Sequence, residues 1–241
     1  IHGYVQGLHL NYLKNQYKES LGIDLKSDVN VLLRYRYNQD FKSIYSMVPA
    51  VTSILLIFIP AILMALSVVR EKELGSIVNF YATPVRKMEF LLGKQLPYIV
   101  VSLISIFGLV TFAIYVFQVP LKGSLFTLTL GVFLYIICTT AIGLFISSFV
   151  KTQIAALMGT AILTFLPTIQ FSGLKEPVSS LEGVAQYIGN IFPVTYFINI
   201  SRGVFSKNVS FSELRFEFFV LSISIFVILY CSYLVLNKQE K

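Results

Sequence analysis

Hydrophobic residues gather in five stretches that contain no Asp, Glu, Lys or Arg: 43–69, 95–121, 123–150, 152–174 and 218–236. A helix of about 20 apolar residues crosses a hydrocarbon core of ~30 Å, so each stretch is long enough to span a bilayer. They predict membrane helices over 45–69, 95–119, 124–149, 152–173 and 214–236. Between the first two lies Arg70–Lys94, which holds five Lys/Arg. Its apolar residues keep a helical rhythm, with Leu74, Ile77, Val78 and Tyr81 at i, i+3, i+4 and i+7. Lys72, Gly75, Ser76, Asn79 and Thr83 fall on the opposite face. This spacing predicts a helix over 70–83 that lies on the membrane surface and turns a small, polar side to the cytosol, where a soluble partner could push on it.

The flanking segments read differently. Tyr4, Val5, Leu8 and Tyr12 have helical spacing with Gly22 as a stop, and Val29, Val31, Leu33, Tyr35 and Tyr37 alternate as a strand would. Residues 1–42 are therefore expected to be a short α/β segment, the end of a domain outside the membrane. Within 175–217, Gly183–Ser201 is charge-free but interrupted by Gly189 and Pro193. It predicts a re-entrant pair of short helices inside 177–205, which the bilayer tolerates only where protein covers the broken backbone. Ser210-Phe-Ser-Glu213 has capping-box spacing and is expected to open the last helix.

Composition fixes the class. With 56% hydrophobic residues and a mean hydropathy of +0.75, the 241-residue chain is expected to be an all-α integral membrane protein. Placing 70–94, Lys151 and 237–241 in the cytoplasm puts eight Lys/Arg in 31 residues there, against eleven in 86 outside. That density difference has the sign of the positive-inside rule. The net charge of +7 is thereby accounted for by orientation and anionic lipid, and no direct nucleic-acid contact is expected. An external 1–42 needs a transmembrane helix before Ile1 to carry it across, so the chain reads as a fragment with five of six spans.

The five charge-free stretches contain no ionisable residue other than Cys and Tyr, which argues against a proton- or sodium-coupled pump. Small residues recur at packing intervals: Gly123, Thr127 and Gly131; Thr139, Gly143 and Ser147; Ala156, Thr160, Thr164 and Thr168. Such rows let helices approach closely, and the same hydroxyls could line a transport path. Cys138 and Cys231 lie inside spans as packing residues, and His2 and His9 have no ligand cluster around them, so no metal site is expected. Gly93-Lys94 is followed by Gln95, and Met88 stands where a phosphate loop needs its first glycine, so no nucleotide-binding or catalytic motif is present.

Arg70-Glu-Lys-Glu-Leu-Gly75, Ala82-Thr83-Pro84 and Leu91-Leu-Gly-Lys94 give the chain a specific resemblance. It is similar to the permeases of type-2 ABC transporters, in which such a stretch after the second transmembrane helix forms the cytoplasmic coupling helix. Within that family it most resembles the membrane domain of bacterial ribosome-associated ATPase/permease fusions. The closer likeness rests on Tyr37-Asn-Gln-Asp40, Leu66–Ser76, Leu92–Tyr98, Phe171-Ser-Gly173, Pro177–Gly183 and Ser201–Lys207.

The resemblance implies six helices per half-transporter in the bacterial inner membrane, a second permease half, a periplasmic adaptor, and ATP-binding domains, fused or separate, that hold ATP and Mg. It implies a permease of an ATP-driven exporter, with Arg70, Glu71, Lys72, Glu73, Gly75, Thr83 and Pro84 coupling it to the ATPase. Glu71 and Glu73 are expected to meet basic groups of the ATPase. The alternative is a membrane anchor for a ribosome-acting ATPase that moves no substrate.

Overall fold

The computed structural model describes residues 44–75, 87–174 and 177–235, together with Tyr12 and Gln16. The chain forms two units, Ile1–Arg36 and Tyr37–Lys241. In the first, only Tyr12 and Gln16 are described, both helical, and the helix and strand expected over 4–12 and 29–37 otherwise fall outside the described residues. So do Thr83, Pro84 and the tail 237–241.

Among its described residues, the second unit has five helices long and apolar enough to cross a membrane. We number the helices α1 (Ile44–Glu73), α2 (Lys87–Tyr115), α3 (Leu125–Phe149), α4 (Gln153–Phe171), α5 (Val184–Ile191), α6 (Pro193–Arg202) and α7 (Arg215–Val235). No strand occurs among the described residues.

α1 is 30 residues long, about 45 Å at 1.5 Å per residue, and therefore exceeds a hydrocarbon core of ~30 Å. The surplus carries the charged residues Arg70–Glu73 as the helix's last turn. Leu74 N–H then donates to Arg70 O, and Gly75 N–H to Lys72 O. Gly75 has φ +74°, the left-handed conformation in which glycine stops a helix. The helix expected over 70–83 is thus divided: 70–73 end α1, the chain turns at 74–75, and 76–83 lie outside the described residues. α2 starts at Lys87, before the charge-free stretch opens at Gln95, and takes Glu89 and Lys94 into the helix.

α1 and α3 form the centre and share the most extensive interface. They run parallel, since Tyr135 of α3 donates to Ser53 O of α1 near their beginnings and Lys72 reaches Ser147 O near their ends. Gly143 makes the approach possible. A Cβ there would lie 3.0 Å from the Ala61 carbonyl carbon and from Met64 Cβ, and closer still to the Ala61 oxygen. α2 and α7 pack around this pair. α4 follows α3 in sequence but packs chiefly on α1. Its buried residues are Ala156, Thr160, Thr164 and Thr168, one stripe with four-residue spacing.

The segment expected to form a pair of short helices forms α5 and α6, joined at Phe192 before Pro193. α6 sinks into the core: Val194, Phe197, Ile198 and Ile200 are buried, and the Phe197 ring stacks on Tyr135 at 4.1 Å. Its continuation, a π-helical turn at Gly203–Lys207, holds the start of α1. Pro49 has no N–H to give Tyr45 O, and Ser206 Oγ supplies the donor at 3.0 Å. The expected capping box does not start the last helix. Residues 210–214 instead form two successive turns, Glu213 N–H to Ser210 O and Leu214 N–H to Phe211 O, and α7 begins at Arg215.

Candidate functional site

The residues singled out from sequence fall into two groups. The first is the charged end of α1. Glu71 forms an ion pair with Lys94 of α2, each side chain about one-third exposed. Lys72 Nζ donates to Ser147 O at 2.7 Å, and Ser148 O lies 3.5 Å away, both in the last turn of α3. Glu73 Oε2 accepts from the Gln153 side chain at 2.6 Å and from Gln153 N–H at 3.3 Å, at the first residue of α4. Three successive side chains of α1 therefore reach three different helices.

The contacts on α3 and α4 each suit the helix end they meet. The last carbonyls of a helix lack internal donors and carry negative partial charge, which an ammonium complements. The first N–H groups carry positive partial charge, which a carboxylate complements. Thr152 adds an N-cap to α4, its Oγ1 accepting from Ala155 N–H. Lys72 was expected on a face turned to the cytosol, whereas its ammonium lies against α3. Arg70 and Gly75 are exposed.

Next to Lys94 on α2, Gln95 is buried and donates to Ile137 O and to Thr140 Oγ1, each at 2.8 Å. This buried tie between α2 and α3 was not foreseen from sequence. Its signal was a lone amide at the edge of an apolar run, next to a charged residue.

The second group is the rows of small residues. Thr139, Gly143 and Ser147 are buried on α3, with Thr139 and Ser147 donating within their own helix to Ile136 O and Leu144 O. Along α4, Ala156 packs with Ala65 and Val69 of α1. Thr164 donates to Thr160 O at 2.7 Å and Thr168 continues the series. The Thr160 hydroxyl is buried with no hydrogen-bond partner among the described residues. The two groups meet at Ser147, whose backbone carbonyl binds Lys72.

At the opposite end of the unit, Arg202 of α6 fans its guanidinium over the terminus of α4, donating to Gly173 O at 2.8 Å and Leu174 O at 3.0 Å, with Ser46 O of α1 at 3.3 Å. Partial burial lowers its pKa from the ordinary arginine value, and the carbonyls offset that cost. The guanidinium lines a groove of about 1270 Å³ with Ser46, Asn199, Lys207 and Glu217. Arg202 was legible as a charge flanking an apolar segment but was not singled out for a role.

Residues 4–234 match the model of a family described as ABC-2 family transporter protein. The chain is 28% identical over 205 residues to the probable multidrug ABC transporter permease YbhS of Escherichia coli strain K12, covering 85% of this chain and 54% of that protein. It is 27% identical to the probable multidrug ABC transporter permease YbhR of the same organism, covering 83% and 55% respectively. Against the inner membrane transport permease YhhJ it is 25% identical, covering 91% and 58%. The chain thus spans about half the length of the curated relatives it matches. No solved structure matches it. A family match running nearly end to end, over a bundle of five apolar helices, means that the chain belongs to the ABC-2 family of transporter permeases.

Proposed function

We propose that the chain is the membrane-spanning part of an ATP-driven exporter that moves amphipathic organic molecules out across a bacterial inner membrane. The observation that carries this reading is the end of α1. A displacement applied there meets α2 through Lys94, α3 through Ser147 and α4 through Gln153 at once. Force from closing ATP-binding domains would enter along 70–84, with Arg70 and Gly75 offered to the partner and Thr83-Pro84 setting the following bend. ATP and Mg would be held by those domains, on the same polypeptide as in the ribosome-associated fusions or on a separate subunit.

The five long helices would pair with a second permease half, and their tilting as a group would open a way between the two halves. The absence of Asp, Glu, Lys and Arg from the apolar stretches favours uncharged or amphipathic cargo over ions. The names of YbhS and YbhR as probable multidrug permeases support the same class. The 70–94 end would face the cytoplasm and α5–α6 the periplasm, with a periplasmic adaptor as a further partner.

The test is ATP-dependent uptake of a fluorescent amphipathic dye, such as Hoechst 33342, into inverted membrane vesicles containing the complete transporter. Uptake above that of vesicles lacking it is expected. ATP hydrolysis with neither dye uptake nor dye stimulation would favour a membrane anchor instead.

A further inference from the structure

We infer that Glu71, Lys72 and Glu73 are positioning residues that act within the chain: they clasp Lys94 in the first third of α2, the end of α3 and the start of α4 to α1 and make the four helices answer a push as one body. The inference rests on the permease reading above and gives these side chains a different task from touching the ATPase.

Three observations support it. First, the contacts are distributed: adjacent side chains reach three different helices. Adjacent positions on a helix point about 100° apart, so three in a row reach three neighbours only where α1 stands centrally among them. Second, each contact has chemistry suited to its partner: a cation on the carbonyl end of α3, an anion on the N–H end of α4, and an anion against Lys94 on α2. Reversing any of these charges would turn attraction into repulsion.

Third, α4 buries few residues, one stripe set chiefly against α1, and it shares little interface with α3 although the two are consecutive. The Glu73–Gln153 contact supplies a tie exactly where α4 begins, and Lys72 supplies one where α3 ends. Gln95, the neighbour of Lys94, adds a direct tie between α2 and α3 through Ile137 O and Thr140. Movement of α1's last turn is thereby delivered to three spans through short polar contacts at one level. Glu71 is only about one-third exposed, with its carboxylate on Lys94, while Glu73 is exposed and holds Gln153 at the surface.

Charge exchange separates the two roles. In the complete transporter reconstituted in liposomes, Glu71→Lys and Lys94→Glu should each lower the ratio of dye-stimulated to basal ATP hydrolysis by about fivefold or more, the scale of a typical intersite coupling. The double exchange should restore most of it, because the pair is re-formed with its signs reversed. If Glu71 instead met a basic group of the ATPase, the double exchange would be no better than the worse single variant, and the inference would be overturned. In a version with Cys138→Ala and Cys231→Ala, the Glu73→Cys/Gln153→Cys pair should cross-link on mild oxidation, whereas Glu73→Cys with Ile154→Cys should cross-link far less. Equal or no cross-linking in well-folded protein would remove the α4 tie. Should the wild-type transporter show no dye stimulation, the permease reading fails, and the clasp is then judged by the cross-link and by whether the double exchange recovers the thermal-unfolding midpoint lost in the singles.

Discussion

Lys72 Nζ lies 2.7 Å from the Ser147 carbonyl oxygen, so a lysine in the last turn of one central helix closes the last turn of the other. A cation at a helix C-terminus contributes about 0.3–1 kcal/mol when exposed and up to ~2 kcal/mol in partly buried geometry. Lys72→Met should therefore lower the thermal-unfolding midpoint of the purified permease by an amount of that order. Lys72→Arg keeps the charge and the donors and should retain most of it. Melts in detergent read the difference, and a Lys72→Met midpoint equal to wild type would contradict this role.

Two glycines predict opposite outcomes for the same substitution. Gly143 stands against the backbone of Ala61, where an added methyl has no room and the obstructing atoms cannot swing away. Overpacking of this kind costs about 1–3 kcal/mol, so Gly143→Ala should destabilise the α1–α3 pair. At Gly159 the same Cβ would meet only Ile146 Cγ2, at 4.0 Å. There the higher helix propensity of alanine, worth about 1 kcal/mol, should leave Gly159→Ala neutral or more stable. Chemical-denaturation or thermal melts of the two variants side by side check the contrast.

The stack of Tyr135 on Phe197 tests whether α6 belongs to the core. Tyr135→Phe removes only the hydroxyl that donates to Ser53 O at 3.0 Å, a loss of about 0.5–1.5 kcal/mol. Phe197→Ala empties a fully buried site and should cost about 3–5 kcal/mol. Similar small losses for both would mean that α6 does not seat there.

Much of this architecture was legible in the sequence because lipid imposes long apolar runs, and a run of 25 or so uncharged residues has few other readings. The break at Phe192-Pro193 was also legible, where Gly189 and Pro193 interrupt the apolar stretch together, although Pro49, Pro60, Pro97 and Pro167 lie inside long helices. The stripe at Ala156, Thr160, Thr164 and Thr168 could be read from its spacing alone. What periodicity missed was the stop at Gly75: Leu74, Ile77, Val78 and Tyr81 continue the rhythm of a helix straight through a glycine that turns the chain. The partners of Glu71, Lys72 and Glu73 were also hidden. They come from residues 94, 147 and 153, and only the packing of α2, α3 and α4 around α1 brings those positions to one level. Capping-box spacing at Ser210 and Glu213 misled for a related reason, because the same residue types serve tight turns.

Orientation across the membrane can be read from the two ends of the bundle. In a version without Cys138 and Cys231, Lys151→Cys at the Glu73 end and Glu182→Cys at the Arg202 end should label from opposite sides with an impermeant maleimide. Position 182 is expected to react in intact cells after outer-membrane permeabilisation, and position 151 only in inverted vesicles. Labelling of both from one side would overturn the assignment of 70–94 to the cytoplasm.

The proposal that drive from an ATP-binding domain enters at the end of α1 is tested most directly by photo-cross-linking. Leu74 is 69% exposed, immediately after the clasp and before the turn at Gly75. With a photoreactive phenylalanine analogue at position 74 of the complete transporter, irradiation should join the permease to an ATP-binding domain, and the yield should change when ATP and vanadate trap the domains closed. The same analogue at Val184, on α5 at the other end, should give no such product. A cross-link to the ATP-binding domain from position 184 but not from position 74 would contradict the account.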